Sequence, residues 1–439
     1  MRKTVIIVSI LALIASSYGQ ATKKQPPTTI NQQNLSENFP AIFSEIEAAT
    51  KKNTSLWNKD LYGAILLIDP QSRQLYANEP DTAGFLQLNG SIYTGILPEN
   101  INIANTAIEW NGKKWTTVML PLSDNKYERI NLLAHELFHM AQPLLGFTMN
   151  NAENNHLDDK NGRIYLRLEL EALKEAIQSL SDKELQQHLT NALTFRKYRN
   201  ALYPETDITE NLLELNEGIA EFTGLIISGR NKEQATEYFI NGINTFFTNP
   251  TFVRSFAYKT TPAYGYLLYS KNKNWNKDIL STTDLTDYFI KAFNINVPDN
   301  LEKAIEGISD NYNGKTVIQE ETEREEENRK IIAEYKRKFI EMPHFVLTFE
   351  QMNIMFNPNN LVPLEDKGTV YPTIRVTDNW GILTVENGAL LSPYWDKITI
   401  TSPLKTENKK IIGDGWTLEL TDSYVIKEIN GNYILKKIK

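Results

Sequence analysis

The sequence predicts an α+β protein with a mainly helical domain at residues 39–318 and an all-β domain at residues 345–439. In the first domain, short apolar runs that suit a small mixed sheet alternate with long stretches of helical periodicity. In the second, short alternating segments are separated by turn signals such as Asn387-Gly388 and Asn430-Gly431, which are typical of hairpins. The charged run between them, residues 319–344, is predicted to form a solvated helical linker.

The N-terminus indicates a targeting signal followed by a polar lead-in. Arg2 and Lys3 precede an apolar stretch at residues 4–15, and small residues then suit a cleavage site. We therefore expect a signal peptide at residues 1–19 and a flexible lead-in at residues 20–38. This predicts a secreted or periplasmic protein without stable membrane insertion after cleavage. A retained membrane anchor is the alternative.

Composition narrows the kinds of site that the chain can build. The 439 residues include no cysteine, so neither a disulfide nor a thiolate metal ligand is available. The net charge of −8 provides no basic face for nucleic acid, and we expect no nucleic-acid partner. Any metal site must be built from the 5 histidines and from carboxylates.

Two histidines lie four residues apart in the run His135-Glu136-Leu137-Phe138-His139. Asn125 and Glu128, at capping-box spacing, predict the start of a helix, and Pro143 predicts its end. Helical residues four apart lie on the same face, so both imidazoles can reach one metal ion. Glu136 lies about 100° further round the helix, where it can hold a water molecule on that metal.

A catalytic zinc ion usually has three protein ligands, so the two histidines need a further partner. In the segment at residues 216–222, Glu217 and Glu221 are four residues apart and share a helical face. Glu217 is the favoured third ligand, and Glu221 can accept the spare ring N–H of a histidine. Glu169 and Glu171 remain competing ligands, although an ion-paired helix face is the alternative for both.

Residues around these motifs receive structural interpretations. The third ligand could also be one of the other histidines, but structural roles are favoured for them. His156 is expected to cap a helix or line the cleft, and His188 and His344 to be ordinary surface or partly buried residues. Gly218 and Ala220 are small, so we expect two helices to approach closely beside the metal.

The two motifs and their order resemble the gluzincin zinc metallopeptidases, which include thermolysin-like enzymes and an aminopeptidase family with a related N-E-G motif. The resemblance implies a zincin-like metallopeptidase domain that binds one zinc ion per chain. It implies His135, His139 and Glu217 as ligands and Glu136 as general base. Glu221 would take the place of the acidic residue one turn after the third ligand.

The spacing of the motifs departs from this family. The 77 residues from 140 to 216 are several times the usual interval, so a helical insertion at about 150–205 has to be accommodated. The G-A-M-E-N signature is missing from the sequence, so the resemblance does not extend to aminopeptidase activity.

The resemblance also implies a tyrosine or histidine, downstream of the third ligand, that stabilises the oxyanion. Tyr264 is favoured because Pro262 and Gly265 are expected to shape a defined turn around it, and Tyr258 is the second candidate. A packing role is the alternative for both tyrosines. The strand-like run at residues 115–120 would be the edge strand that pairs with extended substrate.

These features together predict a secreted zinc-dependent peptidase that acts on peptide or protein substrates. One alternative is an inactive zincin-fold protein that uses the C-terminal β domain for recognition. Another is a helix whose histidines bind no metal. The tryptophans of the β domain are interpreted as core residues, with a binding platform as the alternative; they are Trp380, Trp395 and Trp416.

Overall fold

The computed structural model describes residues 38–438 except 99, 100, 102, 149, 151, 153, 357–359, 408 and 409. The predicted signal peptide, and the lead-in up to residue 37, lie outside the described residues. The described chain forms two compact units, one ending at Glu321 and one beginning at Thr322. The protein is a mixed α/β chain with a largely helical first part and β-sheets in the C-terminal part, which confirms the predicted fold class at this level.

Helices form most of the first unit. Their bounds in the described chain are α1 (Phe39–Lys52), α2 (Lys126–Ala141), α3 (Lys160–Gln178), α4 (Asp182–Leu202), α5 (Thr206–Leu213), α6 (Ile219–Ser228), α7 (Lys232–Phe246), α8 (Ala257–Lys271), α9 (Leu285–Ala292), α10 (Leu301–Ile308) and α11 (Gly314–Lys336). A wide π-turn, Glu214–Gly218, joins α5 to α6. Among these described helices, none combines the length and the apolar character that a membrane span requires. The charged run predicted as a linker falls largely within α11.

A six-stranded sheet completes the first unit, and its strands run in the order β3-β4-β2-β1-β6-β5. The strands are β1 (Ile65–Ile68), β2 (Gln74–Ala77), β3 (Gln87–Asn89), β4 (Ile92–Ile96), β5 (Thr106–Trp110) and β6 (Lys113–Met119). Strand β6 pairs with β1 on one side and with β5 on the other. The run at residues 115–120 is therefore internal, which corrects the expectation of an edge strand. On this side of the sheet, the edge is β5, because the β5–β6 hairpin adds one more strand outside β6.

The motif helix α2 begins where its capping residue predicts. The Asn125 side chain accepts hydrogen bonds from the backbone N–H groups of Tyr127 and Glu128, at 2.9 and 3.5 Å. These bonds satisfy donors that the first turn of a helix leaves without partners. The helix ends at Ala141, and Pro143 lies in the short 3₁₀ turn that follows.

Helix α2 packs closely against α6 at Gly224. A Cβ atom on Gly224 would lie 2.5 Å from the backbone oxygen of Asn131 on α2, so only glycine permits this approach. Gly218 allows a second close approach, as expected, because a Cβ atom there would clash with Thr261 on α8, the helix that also carries Tyr258. The contact between the two motif-bearing helices is made at Gly224.

The helical insertion at residues 150–205 is part of the hydrophobic core. Its helices α3 and α4 bury apolar side chains in the main cluster of the first unit. Among these buried side chains are Leu166, Leu168, Leu170, Leu173, Leu189, Leu193 and Phe195. The extra length between the two motifs thus stabilises the unit that carries them.

The C-terminal unit contains a seven-stranded and a six-stranded sheet. Its strands are β7 (His344–Thr348), β8 (Asn353–Phe356), β9 (Val362–Pro363), β10 (Thr369–Tyr371), β11 (Ile374–Asp378), β12 (Gly381–Val385), β13 (Ala389–Leu391), β14 (Lys397–Thr401), β15 (Pro403–Glu407), β16 (Lys410–Gly413), β17 (Trp416–Leu420), β18 (Tyr424–Ile429) and β19 (Asn432–Lys437). Trp380 and Trp416 are buried in its core, and Trp395 packs against that core while partly exposed. The packing interpretation therefore holds for the first two tryptophans.

We predict that Gly224→Ala lowers the free energy of unfolding by about 1–3 kcal/mol, because the added methyl group overpacks the α2–α6 contact. Gly307→Ala is the matched control. Gly307 lies in α10 with open space around its Cα, so alanine there should stabilise the protein by about 0.5–1 kcal/mol. Urea unfolding of both variants measures the difference. Equal stability of the two variants would contradict the close contact.

Candidate metal centre

Three potential metal ligands meet between α2 and the π-turn. The His135 and His139 Nε2 atoms are 3.0 Å apart, and Glu217 Oε2 lies 3.5 and 3.3 Å from them, respectively. The two histidine side chains are 3% and 8% exposed and Glu217 is 15% exposed. The cluster is therefore mostly buried, and its carboxylate side is the most accessible to solvent.

Both histidines are held through their other ring nitrogen. His135 Nδ1 lies 2.9 Å from Glu221 Oε2, and His139 Nδ1 lies 2.6 Å from Gln142 Oε1. A carboxylate only accepts, so His135 must donate from Nδ1. Gln142 donates its amide N–H to the Asn216 carbonyl at 2.7 Å, so its oxygen accepts from His139. In the neutral rings, both Nε2 atoms therefore carry lone pairs that point into the cluster.

This convergence of acceptors calls for a positive charge. Two imidazole lone pairs and one carboxylate oxygen repel each other at these separations unless a cation lies among them. The pKa of His135 agrees with this: burial opposes protonation of the ring, but hydrogen bonds to Glu217 and Glu221 raise its pKa to about 10. A metal ion would satisfy all three acceptors at once.

The spacing of the three atoms fits a zinc ion. Ligand atoms that surround zinc tetrahedrally at about 2.0–2.1 Å lie about 3.3–3.4 Å from one another. The observed separations of 3.0, 3.3 and 3.5 Å bracket that value. Two imidazoles and one carboxylate are also a donor set that zinc accepts. Among the described residues, this trio is the group found to have metal-ligand spacing.

Glu136 lies beside the cluster but outside this ligand set. Its side chain is buried and forms no hydrogen bond with a residue that the structure describes. Burial raises the pKa of Glu136, while the neighbouring histidines oppose that shift. A buried carboxylate with a raised pKa is suited to accept and return a proton near neutral pH.

Tyr258, on α8, positions the third ligand. Its hydroxyl donates to Glu217 Oε2 at 2.5 Å, and its ring stacks on His135 with 5.4 Å between centroids. Burial and the Glu217 carboxylate raise the pKa of Tyr258 well above its usual value, which keeps the hydroxyl a proton donor. Asn216 adds a hydrogen bond to Glu217 Oε1 at 3.2 Å.

Glu221 is at the centre of a second layer of contacts around His135. Its Oε1 accepts hydrogen bonds from the Asn131 amide, at 2.9 Å, and from the Tyr238 hydroxyl. Such contacts fix the orientation of a ligating histidine and increase its basicity. The predicted role of Glu221 thus agrees with its position.

The structure does not bring Tyr264 to the metal ligands. Its buried hydroxyl donates to Glu169 at 3.0 Å, in a separate group of charged side chains. Glu169 binds Arg196 and Arg199 in that group, and His156 bonds there to Glu210 at 2.7 Å. This placement corrects the preference for Tyr264 and leaves Tyr258 as the hydroxyl beside the cluster. Pro262 and the glycine after Tyr264 lie inside helix α8, so they form no turn.

The remaining candidates also have partners elsewhere. Glu171 pairs with Lys174 at 2.9 Å, and His188 hydrogen-bonds with the Tyr312 hydroxyl at 2.8 Å. His344 lies on β7 in the C-terminal unit. Among the candidates weighed as third ligand, the geometry therefore favours Glu217.

The sequence interpretation missed Gln142, Asn131 and Tyr238. Gln142 and Asn131 had a usable signal, since they lie three residues after His139 and four before His135, on the same helical face. Tyr238 is on α7 and had no such signal, because only the tertiary fold brings it to Glu221.

Comparisons with known proteins return no relative. The chain matches no protein-family profile, no curated protein sequence and no solved structure. The chemistry of the centre is therefore inferred from its own residues.

We predict that Gln142→Leu weakens zinc binding by about 10–100-fold, because His139 loses the contact that orients its ring. Competition with a chromophoric chelator measures the dissociation constant. Gln186→Leu is the control, since Gln186 also donates to backbone carbonyls, those of Phe293 and Asn294. A Gln142→Leu protein with wild-type zinc affinity would contradict the assigned role.

Proposed function

We propose that the protein is a secreted zinc-dependent peptidase of the gluzincin type. The observation that carries this proposal is the convergence of His135 Nε2, His139 Nε2 and Glu217 Oε2 at tetrahedral spacing. Three protein ligands leave one coordination position open, which is typical of catalytic rather than structural zinc sites. The buried Glu136 beside them supplies the general base that peptide hydrolysis needs. The proposal of secretion rests on the sequence pattern at residues 1–19, which fits a signal peptide.

The chain's own residues divide the work of hydrolysis. His135, His139 and Glu217 would hold zinc, which supplies a Lewis acid that polarises a carbonyl group and makes water more acidic. Glu136 accepts a proton from the attacking water and returns it to the leaving amine. Tyr258 turns its hydroxyl from Glu217 to the developing oxyanion. Glu221 and Gln142 keep the two imidazoles fixed throughout.

The site contains all the groups that an active zinc peptidase would need, which favours an active enzyme over an inactive binding protein. Both histidines, the carboxylate ligand and the base are present, and each histidine has its orienting partner. A protein that had kept only the fold would not require Glu136 to remain a buried carboxylate without a hydrogen-bonding partner among the described residues. Burying an uncompensated charge is costly, so such a group is usually retained for chemistry.

We predict that the purified protein binds about one zinc ion per chain and cleaves peptides, and that Glu136→Gln retains the metal while its activity falls about 10²–10⁴-fold. Plasma emission spectrometry measures the zinc, and a quenched fluorescent peptide library measures cleavage. Glu171→Gln, which alters a partly buried carboxylate paired with Lys174 away from the cluster, should keep both properties. Wild-type protein that holds zinc but cleaves no peptide would instead support the inactive binding protein. If the wild-type protein held no zinc, the proposal of a metal centre would be refuted.

We predict that Tyr258→Phe weakens zinc binding, because Glu217 loses a hydrogen bond, and that the zinc-loaded variant has a kcat about 10²–10³-fold lower with little change in KM, because the oxyanion loses its donor. Tyr264→Phe is the control. Its hydroxyl bonds to Glu169, so that variant should lose stability and keep its kcat. Steady-state kinetics together with thermal unfolding separates the two effects. If instead Tyr264→Phe lowers kcat and Tyr258→Phe does not, Tyr264 is the oxyanion donor.

A further inference from the structure

We infer that Arg196, on the inserted helix α4, is a positioning residue for the third metal ligand, and that the insertion serves to hold the π-turn in place. The inference rests on the proposed function, since it assigns a role toward the same zinc site. His135 and His139 are fixed to each other by one helix. Glu217 comes from a different element, so the geometry of the trio depends on what holds that element.

The side chain of Glu214, the first residue of the π-turn, is held by hydrogen bonds. Both oxygens of Glu214 are bound by the Arg196 guanidinium, at 2.8 and 2.9 Å, and Thr260 donates to one of them at 2.5 Å. The Glu214 carbonyl also accepts the Ile219 N–H, a bond that closes the wide turn around Glu217. The Arg196–Glu214 pair therefore anchors the loop of backbone that carries the ligand.

The anchor belongs to a larger group of buried charges. Arg196 also binds Glu169 on α3 at 2.7 Å, while Arg199 binds Glu169 at 2.7 Å and Glu210 at 2.6 Å. The side chains of these four residues are at most 3% exposed. Paired charges in such an environment have few alternative partners, so the network holds α3, α4, α5 and the π-turn in one arrangement.

A second anchor reaches the same turn from the motif helix. Gln142 donates to the Asn216 carbonyl at 2.7 Å while its oxygen accepts from His139. The turn is thus held from α2 on one side and from the insertion on the other. Removal of the Arg196 anchor should leave the histidines in place and shift Glu217, which changes metal affinity more than it changes the fold.

The chain offers a matched control for burial and charge. Arg163 pairs with Glu321 at 2.8 Å, and both side chains are 2% exposed, as buried as the Arg196 pair. Arg163 also lies in the insertion, but its partner is on α11 rather than in the π-turn. Lysine keeps the charge in either position and loses the paired geometry of the guanidinium.

The test compares Arg196→Lys, Thr260→Val and Arg163→Lys in the full chain. Chelator competition measures the zinc dissociation constant, and the visible absorption of the cobalt-substituted protein reports coordination geometry. We expect Arg196→Lys to raise the dissociation constant about 10–100-fold and to alter the cobalt spectrum. Thr260→Val should change both measurements in the same direction and to a smaller extent. Arg163→Lys should leave both unchanged even where it lowers thermal stability.

If Arg196→Lys folds, either of two results would overturn the inference: wild-type affinity and spectrum in Arg196→Lys, or an equal loss of affinity in Arg163→Lys. If Arg196→Lys does not fold, the smaller Thr260→Val substitution decides, and wild-type affinity in that variant overturns the inference. If the wild-type protein binds no zinc, the proposed function fails and this inference fails with it. If the wild type binds zinc and the variants keep its affinity, only the role of Arg196 is lost.

Discussion

Three hydrogen-bond acceptors directed at one point inside a protein are the constraint on which the rest of the site depends. The two imidazole nitrogens and the Glu217 oxygen lie within 3.5 Å of one another, and Glu221 and Gln142 turn both rings so that their lone pairs face inward. Folding toward such an arrangement is unfavourable without a bound cation. The surrounding contacts hold these acceptors in an arrangement that the proposed metal ion would neutralise.

The ligands reach this point by two different routes. The histidines need only one helix, and the cap at Asn125 together with the contact at Gly224 fixes that helix. The carboxylate arrives on a π-turn, a conformation that is rare in proteins and often occurs at functional sites. Side chains from outside this turn hold it in place, Arg196 at Glu214 and Gln142 at the Asn216 carbonyl.

Local patterns in the sequence predicted the parts of the site that depend on short-range geometry. Residues four apart on a helix placed His135 beside His139, and the same rule linked Glu217 with Glu221. The mixed α/β fold, with β-sheets in the C-terminal part, followed from the change in periodicity after residue 345. Each of these depends on positions that are close in the chain, where the period of the helix or strand fixes their relation.

The parts that sequence reasoning could not reach depend on contacts between distant segments. Tyr264 seemed the better oxyanion donor because a proline and a glycine flank it, yet both lie inside α8 and the helix turns Tyr264 toward Glu169. Strand β6 was expected to be an edge by analogy with the family that the motifs resemble, but it pairs with both β1 and β5. No local rule states which face of a helix meets which partner or which strands pair, and both errors share that origin.

The bridge made by Gln142 has a consequence for recognising related chains. Its amide joins the end of the motif helix to the backbone of the turn that carries Glu217, so the positions of the two motifs are coupled. A useful signature would extend H-E-x-x-H to H-E-x-x-H-x-x-Q and allow a long, helical interval that ends in N-E-G. Chains with that combination would be expected to share the glutamine bridge between the histidine and the turn, even where the rest of their sequences show no similarity.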